Sequence, residues 1–287
     1  YHLPFLSGAR RGVFARHGLD VEVLDAPPPP WTANAVRVAR GEVDFAASSV
    51  ACFLLARTAA HGEFPARFVA VLHQRSPLAA VVPADSAMAT VEDLAGQRIG
   101  RGRWAEWMAE EARQAVADHG VRAPEVVPVE WGEVSAALAR REIDVIAVYL
   151  DAAAGMARRP SASGVRTVEL GGDTYATGIL ANDRVPHDVI VRMRHALTDA
   201  FEAQRDDPEA GVELLCDQIP HVRADQVRAV WARLVPFVFG NRPVGTMGHR
   251  RWADTMAWAR RVHGIGQLDA ADVYRTELEG AGGWLGR

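Results

Sequence analysis

The chain has 287 residues, of which 49% are hydrophobic and 24% are charged, and its formal net charge is −4. This composition is typical of a globular protein with one large or two medium domains, and it argues against nucleic acid as a partner. All 32 basic residues are arginine, because the sequence contains no lysine. This excludes Schiff-base chemistry, a lysine-linked pyridoxal cofactor and a G-K-[ST] phosphate loop. No apolar run reaches about 18 residues, so no membrane-spanning helix is predicted.

The first 24 residues predict a helix followed by a strand. Apolar residues recur near the helical period at Phe5, Leu6, Ala9, Val13 and Phe14. Gly18 is a typical helix stop, and alternating apolar residues over 19–24 predict a strand. Residues 39–46 repeat this order of helix end, glycine and short buried strand. Such a helix between strands is typical of a crossover unit of an α/β fold.

The remaining pattern continues as an α/β chain and ends in helices. Strands are predicted at 43–47, 67–72, 78–83, 97–100, 125–129, 143–148, 165–170 and 177–182. Helices are predicted at 50–60, 90–96, 104–119, 132–141, 189–206, 208–218, 224–238 and 249–263. The phrase that runs from Arg141 to Val145 echoes the one that runs from Gly41 to Phe45, which indicates two similar α/β lobes in tandem.

Three motifs in order carry a family resemblance. The first is His2, Pro4 and Phe5, the second is Gly12, Phe14, Gly18, Leu19, Val21 and Glu22, and the third is Gly41, Val43 and Asp44. Together they resemble the NMT1/THI5-like branch of the substrate-binding proteins of ABC importers. In the second motif, Gly12 and Phe14 are one place out of register.

The resemblance implies an α/β two-lobe periplasmic-binding-protein type II fold. Each lobe is then a mixed sheet flanked by helices, and a helical C-terminal tail packs on the first lobe. Lobe 1 is expected at 1–83 plus 182–287 and lobe 2 at 84–181, with the ligand cleft between them and hinges near 83–84 and 181–182. In such a fold the first strand and any leader would precede Tyr1.

The candidate ligand-binding residues lie in loops at the carboxyl ends of strands, where ligands of α/β sheets bind. They are His2, Phe5, Trp31, Ser48, Ser49, Arg101, Arg103, Trp104, Glu106, Tyr149, Asp151 and Tyr175. Aromatic rings offer a stacking surface, and Arg101 and Arg103 at a helix start favour an anionic group. Each residue also has a structural alternative: the rings can fill the surface between lobes, the serines can cap a helix and the arginines can be solvated.

These features favour a non-enzymatic solute-binding protein. It would capture a small flat or anionic organic molecule for the membrane subunits of an ABC importer, as a monomer without cofactor, metal site or nucleic acid. Its location is expected to be extracytoplasmic, either periplasmic or as a cell-surface lipoprotein, if a leader has been removed, and cytoplasmic otherwise. Cys52 and Cys216 are the only cysteines, and the sequence leaves open whether they pair.

Two enzymatic alternatives remain open. Relatives on this fold include a desulfinase with a cysteine nucleophile and a pyrimidine synthase that uses its own histidine and a lysine-bound pyridoxal. The first loop here has His2 but no cysteine, and the sequence has no lysine, so neither chemistry has its key residue. No catalytic residue is assigned, and the remaining enzymatic option is a proton transfer between His2 and Glu106. The least favoured alternative is a dinucleotide-dependent oxidoreductase, because Gly100–Ala105 matches G-x-G-x-x-A but carries the bulky Arg103 and Trp104.

Overall fold

The protein is described from a computed structural model. The structure describes residues 3–24, 30–60, 62–102, 106–156, 164–219, 222–240 and 242–278, and the side chains of residues 30, 31, 131 and 154–156 lie outside this description. The chain divides into two compact units. Unit 1 comprises Tyr1–Arg75 and Asp173–Arg287, and unit 2 comprises Ser76–Gly172. Unit 2 is therefore one continuous segment inserted in the sequence of unit 1.

The strands from 45 to 182 follow the predicted order and most of the predicted helices are present, but residues 90–96 contain only a 3₁₀ turn at Glu92–Leu94. The strands are β1 Phe45–Ser49, β2 Ala66–Val71, β3 Leu78–Pro83, β4 Arg98–Gly102, β5 Glu125–Val129, β6 Val145–Tyr149, β7 Val165–Glu169 and β8 Thr177–Asn182. The helices are α1 Leu3–Arg10, α2 Val13–Arg16, α3 Pro30–Ala39, α4 Val50–Ala59, α5 Glu106–Asp118, α6 Val134–Ala139, α7 Leu150–Met156, α8 His187–Asp206, α9 Pro208–Gln218, α10 Ala224–Val238, α11 His249–His263 and α12 Ala270–Val273. The bounds of β3, β5, β8, α9, α10 and α11 coincide with the predicted ones.

The sheet of unit 1 has the strand order β1-β8-β2, and β8 runs antiparallel to both neighbours. Gly178 is required where β2 is irregular between Phe68 and Ala70. A Cβ atom on Gly178 would lie 2.6 Å from the Ala70 carbonyl oxygen and 2.7 Å from a Phe68 ring carbon. Only glycine therefore allows β8 to approach β2 this closely.

The sheet of unit 2 is mixed, with the strand order β5-β4-β6-β3-β7. Strand β4 runs parallel to β5 and β6, whereas β3 runs antiparallel to β6 and β7. At the beginning of β4, Arg98 donates two side-chain hydrogen bonds to Asp144 at 2.9 Å, and its main-chain N–H donates a third at 3.0 Å. This pair fixes the start of β4 beside the start of β6.

The unit boundaries differ from the lobe boundaries that the sequence predicts. Strand β3 belongs to the sheet of unit 2 and β8 to the sheet of unit 1, so the chain passes between units at 75–76 and 172–173. The sequence-based division into 1–83 plus 182–287 and 84–181 assigns each of these strands to the other lobe. The physical reason is that both strands are buried along their whole length, and a fully buried strand fits either sheet because its own residues do not specify its partner.

Each unit has its own hydrophobic core. In unit 1, Phe53, Phe68, Trp252 and Tyr274 are among the largest side chains with less than 2% exposure. Because Trp252 and Tyr274 come from the C-terminal part of the chain, the helical tail packs on unit 1, as the resemblance implies. Among the described residues, no helix is both long and apolar enough to cross a bilayer.

The N-terminal segment differs from its prediction in two ways. The expected helix is divided into α1 and α2, because Gly12 has a left-handed φ of 66°. Residues 19–24 form no strand and pair with none of the described strands. Leu19 is buried, whereas Val23 and Leu24 are 44% and 51% exposed. Alternation of apolar residues predicts a strand only if a neighbouring backbone completes its hydrogen bonds, and the described chain supplies none there.

The sequence echo between the two units corresponds to two equivalent helix–strand junctions. After α3, Gly41 and Glu42 donate main-chain hydrogen bonds to the carbonyl oxygens of Val38 and Arg37. After α6, Arg141 and Glu142 donate the same pair of bonds to Leu138 and Ala137. Gly41 and Arg141 both have a left-handed φ, 71° and 60° respectively. Both junctions are Schellman motifs, and the second lacks the usual glycine.

Candidate functional site

Strands β1 and β2 end, and β8 begins, at one edge of the unit 1 sheet. The antiparallel registers require this, because Ser49 pairs with Thr177 and Val71 pairs with Gly178. Residues 48–50, 72–75 and 173–177 therefore come together, and we call this group the strand-end site. It lies at the carboxyl ends of β1 and β2, where α/β sheets bind their ligands.

Ser48 and Ser49 are both completely buried in the strand-end site. The Ser49 hydroxyl accepts a hydrogen bond from the Cys52 main-chain N–H at 3.5 Å, so Ser49 is the N-cap of α4. The Ser48 hydroxyl donates to the Ser49 carbonyl oxygen at 3.3 Å. The predicted helix-cap role is therefore present at Ser49, and the positive end of the ten-residue helix α4 lies beside these hydroxyls.

Thr177 faces Ser49 across the sheet and carries a buried hydroxyl group. The residue is fully buried, and its Oγ1 has no hydrogen-bond partner among the described residues. Its carbonyl oxygen is well satisfied, since it accepts from the N–H groups of Leu72 and His73 at 2.9 and 3.1 Å. A buried hydroxyl without a partner costs about 1–3 kcal/mol. Such a cost in a strand-end position is typical of a group that binds something other than the protein.

The segment after β2 brings further polar groups and a cation to the strand-end site. His73 and Gln74 are almost completely buried, and the Gln74 side chain donates to the Thr246 carbonyl oxygen at 3.0 Å. Arg251, from α11, donates from Nη1 to the Gln74 carbonyl oxygen at 2.7 Å. Its side chain is 35% exposed and lies 3.6 Å from Asp173, which is 84% exposed. Arg251 thus places a partly exposed positive charge at this edge.

Tyr175 is a predicted site residue that lies in the unit 1 core, with 3% exposure. Its hydroxyl oxygen accepts from the Gly248 N–H at 3.0 Å, and its own N–H donates to Thr255 at 3.1 Å. The ring contacts Trp252 edge to face, with 5.1 Å between centroids, and Arg251 lies 5.7 Å from its centroid. These contacts give Tyr175 a structural role that holds Arg251 and β8 in place, and its contact with a ligand stays a prediction.

In unit 2, the ends of the parallel strands β4 and β6 carry an aromatic pair. Trp107, in the first turn of α5, contacts the predicted residue Tyr149 edge to face, with 5.3 Å between centroids. The two side chains are 7% and 4% exposed, and the Trp107 Nε1–H has no acceptor among the described residues. Arg101 and Asp151 are half-buried near the ends of the same strands, and Glu106 is exposed. Unit 2 therefore gathers four predicted residues around the ends of β4 and β6.

In the dinucleotide-like motif Gly100–Ala105, packing explains the first glycine, Gly100. A Cβ atom on Gly100 would lie 2.4 Å from the Ile143 Cδ1 atom, so a larger residue there would require the buried Ile143 side chain to shift. Residues 103–105 lie outside the described residues, and with them the predicted residues Arg103 and Trp104. Gly100 thus has a reason to be glycine without a nucleotide.

The other predicted residues belong to the N-terminal part of the chain. Phe5, in α1, packs edge to face on Phe201 of α8, with 5.6 Å between centroids. This contact attaches α1 to the unit 1 core. His2 lies outside the described residues, and Trp31 has a described backbone at the start of α3 but not a described side chain.

The twelve ligand-binding residues predicted from the sequence do not include Gln74, Thr177, Arg251 and Trp107. Gln74 lies three residues after the end of the apolar strand β2 and Thr177 begins β8, and a polar residue close to a strand end is a signal that the sequence offers for both. No local signal identifies Arg251, because only tertiary packing brings α11 to this edge. Within the described residues no group of three His, Cys, Asp or Glu side chains could bind a metal ion, and no disulfide joins Cys52 to Cys216.

Comparison with known proteins identifies a family and a fold. The family model described as NMT1/THI5 like matches residues 1–211. Among curated proteins, none matches the chain significantly.

Solved structures resemble the chain over nearly its whole length. The alkanesulfonate-binding protein SsuA from Xanthomonas axonopodis pv. citri, bound to MOPS, has a TM-score of 0.69 and 17% identity, covering 95% of this chain and 94% of that one. The periplasmic aliphatic sulphonate binding protein SsuA from Escherichia coli has a TM-score of 0.72 and 14% identity, covering 95% and 88%. DszB, in complex with biphenyl-2-sulfinic acid, has a TM-score of 0.63 and 18% identity, covering 96% and 93%. At these identities the likeness establishes the periplasmic-binding-protein fold.

Proposed function

Because this chain belongs to the NMT1/THI5-like family, we propose that it is a solute-binding protein that takes up a small organic anion at the strand-end site. Three features support an anionic group there: the buried hydroxyls of Ser48 and Thr177, the positive end of α4, and the Arg251 guanidinium. A hydroxyl can donate to an anionic oxygen, and a guanidinium favours a carboxylate or a sulfur oxyanion.

The observation that carries the proposal is the hydroxyl of Thr177. It is fully buried and without a hydrogen-bond partner among the described residues, although valine would fill the same space without that cost. An anionic oxygen of a ligand would accept its hydrogen bond. Related folds have been solved with MOPS and with biphenyl-2-sulfinic acid, so a sulfonate or sulfinate is the class that we propose first.

The experiment is calorimetric titration of the purified chain with ethanesulfonate, MOPS, biphenyl-2-sulfinate and NAD. We expect at least one sulfur oxyanion to bind and Thr177→Val to weaken it about 10-fold or more, the effect of one hydrogen bond to a charged group. Thr177→Ser keeps the hydroxyl and is the matched control, with a loss of only about 2–3-fold. Equal affinity in the wild type and in Thr177→Val would contradict the proposal, and binding of NAD alone would favour the dinucleotide alternative at Gly100–Ala105 instead.

The same titration distinguishes binding from catalysis. The sulfinate is recovered after incubation and assayed for released sulfite. Unchanged sulfinate supports the solute-binding function, whereas stoichiometric or catalytic release of sulfite would replace it with a desulfinase function.

We also propose that the bound solute is delivered to the membrane subunits of an ABC importer, and that the protein acts outside the cytoplasm. The SsuA neighbours named as periplasmic support this location. Loss of uptake of the identified solute after gene deletion, restored by the wild type but not by Thr177→Val, is the expected result.

A further inference from the structure

Two segments beside the strand-end site contain arginine but no acidic residue. Residues 64–84 and 226–253 have neither aspartate nor glutamate, although the whole chain has 36 acidic residues and a formal net charge of −4. Arg75 lies in the first segment, after β2. Arg242 and Arg251 lie in the second, between the end of α10 and the first turn of α11. Acid-free segments of this kind give the edge of the unit 1 sheet a positive potential.

Hydrogen bonds of Gln74 join the two segments. Its main-chain N–H donates to the Phe237 carbonyl oxygen at 2.7 Å, and its side-chain amide donates to the Thr246 carbonyl oxygen at 3.0 Å. Its own carbonyl oxygen accepts from Arg251 Nη1 at 2.7 Å. The next residue, Arg75, is exposed, and its Cζ atom lies 5.3 Å from the centroid of the Phe237 ring. The buried Gln74 therefore fixes the backbone from which two of the arginines extend.

The third arginine lies close to the same edge. Arg251 lies 5.7 Å from the centroid of the Tyr175 ring. Arg242 is near the hydroxyl end of that ring, because a Cβ atom on Gly248 would lie 3.2 Å from Arg242 Nη1 and 3.8 Å from the Tyr175 hydroxyl oxygen. We call Arg75, Arg242 and Arg251 the arginine rim of the strand-end site.

The arginine rim has more positive charge than the acids beside it neutralise. Arg75 and Arg242 are exposed, and neither has an ion-pair partner among the described residues. Arg251 lies 3.6 Å from Asp173, whose side chain is 84% exposed. Water screens a pair that is this exposed, so Asp173 holds Arg251 only weakly. An anion that binds beside Arg251 leaves two guanidinium groups of the rim without a negative partner.

We propose that the solute of the strand-end site carries two acidic groups, a sulfur oxyanion beside Arg251 and a carboxylate that contacts Arg75 and Arg242. This inference rests on the proposed function and narrows the substrate class from sulfur oxyanions in general to short sulfo-carboxylates. A guanidinium offers two parallel N–H donors that match the two oxygens of a carboxylate. Because both side chains are exposed, the carboxylate reaches them without displacing any buried group.

The test compares 3-sulfopropionate with its uncharged amide, 3-sulfopropionamide, by calorimetric titration of the full chain. The two ligands share the sulfonate and the chain length and differ in one charge. We expect 3-sulfopropionate to bind about 10-fold more tightly, the combined effect of two exposed charge pairs. Arg242→Gln and Arg75→Gln, each alone, are expected to reduce this ratio of affinities to about 3.

Arg260→Gln is the matched control. Arg260 is also exposed, and its replacement makes the same change in net charge. It lies nine residues beyond Arg251 along α11, a rise of about 13 Å, which exceeds the distance over which salt screens exposed charges. Arg260→Gln is therefore expected to keep the wild-type ratio of affinities.

The outcomes separate this inference from the proposed function. Thr177→Val is expected to weaken both ligands by the same factor, because it acts on the sulfonate end, and so to keep their ratio. Equal affinity of the wild type for the two ligands would overturn the second acidic group and leave the proposed binding of a sulfonate intact. The inference is also overturned if neither ligand binds, or if Arg260→Gln lowers the ratio as much as Arg242→Gln.

Discussion

At the scale of single residues, Thr177 shows how stability and function oppose each other. Its hydroxyl is buried without a partner among the described residues, and its methyl group lies in a packed strand end. Thr177→Val replaces the hydroxyl with a methyl of similar size, so we expect the free energy of unfolding to rise by about 1 kcal/mol without ligand. Urea unfolding of the ligand-free protein measures this. Thr177→Ser keeps the hydroxyl and loses the methyl, and it is expected to unfold more easily; a Thr177→Val protein less stable than the wild type would contradict this account.

Single residues also show which parts of the candidate site the sequence predicts and which it does not. The position of Ser49 before an apolar helix predicted its capping role, because a cap depends only on neighbours in the chain. Among the described residues the Thr177 hydroxyl lacks a partner, and Arg251 lies at the strand-end site, only because of the strands and the helix that meet at this edge of the unit 1 sheet. Neither follows from local pattern, so the candidates included Ser49 and left out Arg251.

At the scale of elements, the two Schellman junctions offer an internal comparison. Arg141 occupies a left-handed conformation that Gly41 occupies without strain in the other unit. Arg141 also pairs with Asp85 at 2.7 Å, but both side chains are at least half exposed, so the pair contributes little. We expect Arg141→Gly to be more stable than Arg141→Ala by about 1 kcal/mol.

The alanine variant loses the same ion pair and keeps the Cβ atom, so the difference between the two variants isolates the left-handed strain. Thermal unfolding of the two variants measures this difference in stability. If the two variants unfold at the same temperature, Arg141 carries no backbone strain.

The Arg98–Asp144 pair joins β4 to β6 and makes unit 2 sensitive to acid. The hydrogen bond from the Arg98 side chain is the main cause that lowers the pKa of Asp144, and the Arg98 main-chain N–H adds to it against the opposing effect of burial. A carboxyl whose pKa is lower in the folded than in the unfolded state stabilises the fold above the unfolded pKa of about 3.9. That contribution is lost as the pH falls through the folded value.

We therefore expect Asp144→Asn to lower stability at neutral pH and to flatten its dependence on pH below about 4. Asp85→Asn is the control, because its carboxylate is 67% exposed and makes only a surface pair. Thermal unfolding between neutral pH and pH 2 measures both; an unchanged acid dependence in Asp144→Asn would show that other carboxylates dominate.

Elements also differ in how well the sequence specifies them. Helices α9, α10 and α11 have the predicted bounds, since a helix satisfies its own backbone and its apolar period is local. A strand depends on its neighbours. For that reason the apolar pattern located β3 and β8 correctly but not their sheets, and it predicted a strand at 19–24 where no described partner exists.

At the scale of the whole molecule, unit 2 has the features of an independently folding insertion. Its sheet and its core lie entirely within Ser76–Gly172. Its two ends are adjacent, because the Ser76 N–H donates to the Gly172 carbonyl oxygen at 3.1 Å. A unit with its own core and adjacent ends can be excised without breaking its strand pairing.

We expect residues 76–172, produced alone, to unfold in a single cooperative urea transition, followed by circular dichroism. The segment 84–181, which follows the boundaries that the sequence predicts, is the matched control. It lacks β3, the strand between β6 and β7, and gains β8, whose partners β1 and β2 are in unit 1. Without β3 the sheet is divided and β7 loses its described neighbour, so this segment is expected to show no cooperative transition. If 84–181 folded as cooperatively as 76–172, strand pairing would not be what defines the two units.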